Sequence, residues 1–240
     1  MSDVKVKQSD TEKLVRDKIS ELISFREEDQ DIKEFWGKQF DLGLAWVQFP
    51  EGAGGLGVNP KYQLLVIEEL RKAGISQQNR IANILGIGMG APTIVEFGTK
   101  EQIDRYLRPM FVADEIWCQL FSEPGSGSDL ASLSTRAVDD GDSYIINGQK
   151  VWTTLGHLAK WGLVVTRTDP EVPKHRGLTF FIVDMEADGV EVRPLRQITG
   201  EAEFNEIYFT DARVPKENLL GEVGDGWRVS LTILMNERVA

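Results

Sequence analysis

The sequence holds one cysteine and two histidines in 240 residues. A lone cysteine excludes an intrachain disulfide, and two distant histidines leave no zinc-ligand spacing, so no metal is expected. Long apolar runs are missing too. No stretch reaches the roughly 18–20 residues that a membrane span needs. Positive charge is scarce: 27 Lys and Arg stand against 38 Asp and Glu, for a net charge of −11. That balance excludes a general nucleic-acid binder, which gains affinity by neutralising phosphates. The opening "MSDVKVKQSDTEKL" has no apolar signal core, and its acids are foreign to a transit peptide. The expectation is a cytoplasmic, metal-free protein without repeats or low-complexity tracts. Net negative charge also repels an anionic ligand at long range, so such a ligand would need local cations or backbone amides aimed at it.

What is present describes an ordinary globular chain, 41% hydrophobic and 27% charged, long enough for one large or two ordinary domains. The early segments read as helices. "TEKLVRDKISELISFRE" places Leu14, Ile19, Leu22 and Ile23 near one face. Asn59-Pro60 announces a helix that stops at Gly74. The run "IANILGIGMGAPTIVEFG" predicts a buried helix packed closely by its glycines, and Thr99 with Gln102 forms a capping box for the next one. After about residue 114 the period changes to alternation. "LSTRAVDDGDSYIINGQKVWTT" contains Asp140-Gly141 and Asn147-Gly148, both suited to tight hairpin turns, which predicts an antiparallel meander. Strands follow in "GLVVTRT", "GLTFFIVDM", "VEVRPL" and "FNEIYFTDA". A final helix carries apolar residues at Trp227, Val229, Leu231, Ile233, Leu234 and Val239, more than one terminal helix hides by itself. It calls for partners from a longer sequence or from another chain.

Three short stretches invite a functional reading. "GAGGLG" (Gly52 to Gly57) matches the dinucleotide pattern G-x-G-x-x-G, but that pattern needs a strand before it and a helix opening inside it. Here a helix starts only after Asn59, so the stretch reads as an inter-helix loop. "SEPGSGSD" is different. Gly125 and Gly127 let a ligand approach the main chain, Ser126 and Ser128 add hydroxyls, and Pro124 stiffens the entry. Taken alone it is equally a decorated loop between strands. In "NGQKVWTTLGH", strand alternation puts Trp152 and Thr154 on one face, an indole beside a hydroxyl, which suits a flat heterocycle. The competing reading makes Trp152 core and Thr154 a strand filler.

Five stretches, "PEGAGGLG", "FSEPGSGSD", "YIINGQKVWTT", "RGLTFFIVD" and "EIYFTDARVPKENLLGEVGDGW", stand in an order and spacing that resemble the acyl-CoA dehydrogenase family from about residue 40 onward. The resemblance implies an α+β chain. It would have an N-terminal all-α domain (1–113), an antiparallel β-barrel-like middle domain (114–222) and the first helix of a C-terminal helical bundle (223–240), the rest of the bundle being absent. It further implies FAD held noncovalently between the β domain and the bundle, and a homotetramer or hetero-oligomer. The implied reaction is α,β-dehydrogenation of an acyl-CoA thioester in fatty acid or lipid catabolism, with an electron-transfer-flavoprotein-like acceptor.

Carried over by position, Gln119, Leu120, Phe121 and Ser122 would lie at the flavin's pyrimidine end. Gly127 and Ser128 would lie near the pyrophosphate and the pantetheine arm. Trp152, Thr153 and Thr154 would run along the flavin, with the Thr154 hydroxyl near N5. Family members most often carry the catalytic Glu in the part of the bundle absent here. Glu237 occupies an alternative position for that base, and Arg238 beside it would contact CoA. Lys174 and Arg176 are secondary CoA candidates, equally readable as solvated charges, and His157 reads as a loop residue. Phe121 departs from the small aliphatic residue usual before the Ser, which bears on pocket width. Two other readings fit the same residues: a flavin oxidase or monooxygenase on the same fold, and a truncated, non-catalytic subunit.

Overall fold

Helical periodicity over the first hundred or so residues does become helices in the computed structural model, which describes residues 2–238, with side chains from Asp10 onward. Val239 lies outside the described residues. The chain divides into two compact units, one made of the residues up to Ala82 with Ile103–Asp114, the other of Asn83–Gln102 with the chain from Glu115 onward.

In the first unit, α1 (Ser2–Ser24) buries Val15, Ile19 and Leu22, an i, i+4, i+7 stripe. Leu14, expected on that face, is instead 45% exposed, because the stripe centres on Val15. α2 (Ile32–Asp41) starts where the Asp31 carboxylate accepts the Lys33 N–H at 2.9 Å. It buries Phe35, Trp36 and Phe40. Asn59 caps a turn by accepting from the Lys61 N–H at 3.0 Å, and α3 (Tyr62–Lys72) opens directly after it. Gly74 follows that helix at φ +71°, as a helix-stopping glycine does. The "GAGGLG" stretch is an irregular loop, and α4 (Gln78–Ala82) ends this stretch of the unit.

The second unit begins with a departure from expectation. In place of one continuous helix, residues Gly86–Gly90 form a π-helical turn that runs into α5 (Ala91–Phe97). Asn83 sits just before this turn, its amide donating to the Glu115 carbonyl at 3.0 Å and accepting from the Trp117 N–H at 2.9 Å. A Cβ on Gly86 would stand 2.7 Å from that side chain. α6 (Lys100–Phe111) opens with the expected capping box: the Thr99 N–H donates to Gln102 Oε1 at 3.0 Å, and the Gln102 N–H to Thr99 Oγ1 at 3.2 Å.

The sheet comprises β1 (Trp117–Leu120), β2 (Arg136–Asp139), β3 (Ser143–Thr154), β4 (Trp161–Arg167), β5 (Leu178–Asp184), β6 (Val190–Leu195) and β7 (Phe204–Pro215). Its order is β1-β4-β2-β3-β7-β6, with β5 paired to β4, and it curls into a half-barrel. Most pairs are antiparallel, but β1 runs parallel to β4. β4 and β5 are buried along nearly their whole length, which explains why their sequences read as unbroken apolar runs. The core gathers Ile146, Val164, Phe181, Val183, Ile207 and Phe209. α7 (Gly226–Glu237) buries Val229 and Ile233, leaves Trp227 and Leu234 half-buried, and exposes Leu231.

Asp140-Gly141 does turn the β2–β3 hairpin, with Gly141 at φ +81°. Asn147-Gly148 does not form a second turn. It lies inside β3, opposite a bulge in β7 where the register moves from Ile146↔Ala212 to Gly148↔Phe209. Asn147 exchanges two hydrogen bonds with Asp211, donating to its carboxylate at 3.0 Å and accepting its N–H at 2.9 Å. Gly148 is required there by Thr135, whose Oγ1 would lie 2.5 Å from an added Cβ. Among the described residues no helix is long and apolar enough to cross a membrane.

Candidate functional site

A second irregularity in β3 builds one wall of the site. Between Lys150↔Ile207 and Thr153↔Asn205, β3 advances three residues while β7 advances two, so β3 carries one extra residue. Trp152 absorbs the bulge at φ +63°, a costly conformation for a bulky side chain. Trp152 and Thr154 share a face, as alternation requires. The bulge adds Val151 to that face and leaves Lys150 and Thr153 buried behind it. Trp152 is 62% exposed and meets Phe204 edge-on at 6.1 Å and 83°, so it is not a core residue.

The opposite wall is the "SEPGSGSD" loop, folded back on itself. The Glu123 N–H donates to the Ser126 carbonyl at 2.8 Å, and the Ser126 N–H returns a bond to the Glu123 carbonyl at 3.0 Å. Ser126 Oγ donates to the Asp129 carbonyl at 2.6 Å. Gly125 and Gly127 have no atom within 4 Å of where a Cβ would stand, which leaves their main chain open to a ligand.

Beneath the loop sits a buried ion pair that sequence reasoning did not single out. Lys150 Nζ donates to Glu123 Oε1 at 2.9 Å and to the Phe121 carbonyl at 3.0 Å. Glu123 Oε1 also accepts the Thr135 N–H at 2.9 Å. Its Oε2 accepts the Ser134 N–H at 2.6 Å and the Ser134 hydroxyl at 2.8 Å. Burial would raise the Glu123 carboxyl, but the charge of Lys150 and the Thr135, Ser134 and Lys150 hydrogen bonds outweigh it and bring it down to about 2. Burial pushes the Lys150 ammonium down to about 8 against the pull of Glu123. Both groups are therefore charged at neutral pH. Nothing in the local sequence signals this pairing, because its partners are 27 residues apart.

Between the two walls lies a cleft of about 480 Å³. Gln119, Phe121, Ser122, Gly127 and Ser128 line one side of it, with Trp152 and Thr154 on the other, and α7 contributes Glu237. Eight residues singled out in the sequence thus come together. Leu120 does not line the cleft, since alternate residues of β1 face opposite sides and its side chain joins the sheet core. Thr153 is likewise buried, at 1% exposure. Arg238 follows α7 as an exposed residue and is not on the cleft wall. Lys174 is held by Asp129 at 2.7 Å, Arg176 is exposed, and neither lines the cleft. His157 lies in the turn after β3, its Nδ1 3.2 Å from Asn205 Nδ2. Phe121 packs edge-on against Phe180 at 5.9 Å, which turns its bulk into the core as well as the cleft.

The remaining wall is apolar. Leu85, Leu130 and Phe204 went unnoticed in the sequence, whereas Trp227 and Leu234 were visible as apolar positions of the last helix in want of partners. Among the described residues, Glu237 is the one charged member of the lining. The hydroxyls of Ser122, Ser128 and Thr154 hydrogen-bond to no protein group among the described residues. The site thus offers unengaged hydroxyls, open glycine main chain, an exposed indole and one carboxylate. Cys118, in β1, turns into the sheet core, where desolvation raises its thiol and keeps it unreactive.

Comparison with known proteins yields two family descriptions, "Acyl-CoA dehydrogenase, N-terminal domain" over residues 5–114 and "Acyl-CoA dehydrogenase, middle domain" over residues 118–212. Acyl-CoA dehydrogenase FadE34 of Mycobacterium tuberculosis is 48% identical over 201 residues, which is 83% of this chain and 27% of that protein. The solved acyl-CoA dehydrogenase of Geobacillus kaustophilus superposes with a TM-score of 0.69 at 36% identity, covering 86% of this chain and 55% of that one. The ChsE4-ChsE5 complex of Mycobacterium tuberculosis gives a TM-score of 0.68 at 33% identity over 95% of this chain and 60% of the other. The chain spans about a quarter of the FadE34 length and little more than half of these solved chains.

Proposed function

The chain belongs to the acyl-CoA dehydrogenase family, and from that premise we propose that the protein carries out FAD-dependent α,β-dehydrogenation of an acyl-CoA thioester. The observation that carries this reading is the cleft, which puts Glu237 on the same wall system as Ser122, Ser128, Trp152 and Thr154.

The residues present suit a flavin. The indole of Trp152 is exposed and offers an aromatic surface to a flat ring. The Thr154 and Ser122 hydroxyls are free to bond the ring's heteroatoms, and the glycine main chain beside Ser128 is open to a diphosphate. Among the described residues no cation lines the cleft, so main-chain and hydroxyl donors would hold the anion in a chain of net charge −11. When bound, FAD supplies the acceptor for the hydride that leaves the β carbon.

The chain's own residues then have distinct tasks. Thr154 would donate a hydrogen bond to the bound ring, orienting it and favouring its reduced, more electron-rich form. Glu237 takes the α proton, a weakly acidic one whose removal needs a carboxylate screened from water by the substrate and by the apolar lining of Leu234, Trp227 and Leu85. Ser128, with Arg238 outside the cleft, serves the CoA end of the substrate. The likeness to the ChsE4-ChsE5 complex supports an oligomeric protein, and the dehydrogenase reading calls for an electron-carrier protein as the oxidant.

Anaerobic mixing of the purified flavin-loaded protein with a series of acyl-CoAs tests this directly. Flavin bleaching that is lost in Glu237→Gln, with flavin still bound, is the expected result. Bleaching that survives the substitution removes Glu237 from the role of base. Rapid peroxide formation in air without a dye acceptor would replace the dehydrogenase reading by an oxidase.

A further inference from the structure

Lys150 and Glu123 lie directly behind the cleft, 0% and 4% exposed, and the chemistry above makes no use of them. A pair so enclosed gives up hydration that its mutual attraction about offsets, so stability alone is a weak reason for its presence. Its geometry is specific. Lys150 Nζ holds the Phe121 carbonyl and the Glu123 carboxylate, and the N–H of the next residue, Val151, donates to the Ser122 carbonyl at 2.8 Å. Three consecutive residues at the loop entry are thereby bound to two consecutive residues of β3, at the point where the bulge begins. The other carboxylate oxygen is anchored on Ser134, where the connection from β1 reaches β2. Charge-assisted bonds of this kind are shorter and stiffer than neutral ones.

We propose that Glu123 and Lys150 are positioning residues for the flavin: the pair clamps the Ser122–Ser128 loop to the bulged Trp152–Thr154 segment and so fixes the spacing of the two walls that receive the ring. This rests on the flavin reading of the same cleft. Neither side chain touches the ligand. Each acts through the main chain of its neighbours.

The test is FAD titration of the apoprotein, read by flavin fluorescence and by the visible absorbance of the bound ring. It compares the parent, Lys150→Met, Lys150→Gln and a control, Ile182→Ala. Ile182 is fully buried in β5 and does not line the cleft, so its truncation costs stability without touching the clamp. Lys150→Met is expected to weaken FAD binding about tenfold or more and to move the absorbance toward that of free flavin. Lys150→Gln keeps an N–H donor for the Phe121 carbonyl and should fall between the parent and the methionine variant. The control should bind like the parent. Parent-like affinity in Lys150→Met overturns the proposal, and so does an equal loss in Ile182→Ala, which would reduce the pair to general stability. If the methionine variant does not fold, Lys150→Gln decides by the same comparison. A parent protein that binds no FAD overturns the flavin reading instead, and that result is distinct from the others.

Discussion

Replacing Glu123 by Gln removes a carboxylate that serves four donors: Lys150 Nζ, the Thr135 N–H, and the Ser134 N–H and hydroxyl. A glutamine has one oxygen, and its amide must point at either the Thr135 or the Ser134 donors. In either orientation Lys150 loses its counter-charge in a fully buried site, keeping the Phe121 carbonyl and at most a neutral amide oxygen. Stranding one member of a buried pair costs about 3–5 kcal/mol, so this is the expected loss at pH 7. The pH dependence is more telling. Glu123 falls from an ordinary 4.5 to about 2 in the folded protein. A depressed carboxyl contributes stability that is complete above about 4.5 and is lost as pH falls through about 2. The whole effect amounts to about 3 kcal/mol, of which about 2 kcal/mol is gone by pH 3. Urea denaturation followed by the fluorescence of the six tryptophans should show the gap between parent and Glu123→Gln narrowing by about 2 kcal/mol from pH 7 to pH 3. A gap of the same size at both pH values would show that the donors around Glu123 do not hold it ionised, and would refute the account of the loop given above.

Two further outcomes follow from the β3 irregularities. Trp152→Ala removes a 62% exposed side chain, so thermal stability should change by no more than about 0.5 kcal/mol, while FAD affinity in a fluorescence titration should drop. A large loss of stability with unchanged affinity would return Trp152 to the core. Gly148→Ala drives a Cβ to 2.5 Å from Thr135 Oγ1 and 2.7 Å from its Cα. Overpacking of that kind costs about 1–3 kcal/mol, which calorimetry should report as a lower Tm. An unchanged Tm would mean that β2 and β3 yield more freely than their packing implies.

Patterns that depend on near neighbours in the chain carried through to the structure. The Thr99–Gln102 capping box, the Gly74 helix stop and the Asp140-Gly141 hairpin formed as their spacing requires, because each is closed by bonds over a few residues. The change from helical to alternating period marked the passage from helices to sheet. The short motifs "SEPGSGSD" and "KVWTT" also announced the two walls of the cleft, since glycines, hydroxyls and an indole are legible as residue types wherever they fold.

Misreadings arose where distant residues intervened. Asn147-Gly148 has the composition of a tight turn, yet Asp211 and Thr135, from other strands, draw it into a bulged pair. "IANILGIGMG" has the composition of a helix, yet Asn83 bridging to Glu115 and Trp117 accompanies a π turn. Leu120 and Thr153 belong to motifs of the site but sit behind it, because a strand turns alternate side chains to opposite sides and a bulge resets the count.

Most of the helices and strands, the places of the polar loop and the aromatic strand, and the residue types able to meet a ligand were legible along the chain, because local geometry and side-chain chemistry travel with it. That Glu237 shares a cleft with Thr154, and that Glu123 and Lys150 meet in its rear wall, came from the folded molecule alone. Those encounters join residues dozens of positions apart, and they are set by the curl of the sheet and the packing of α7 upon it, which no local pattern encodes.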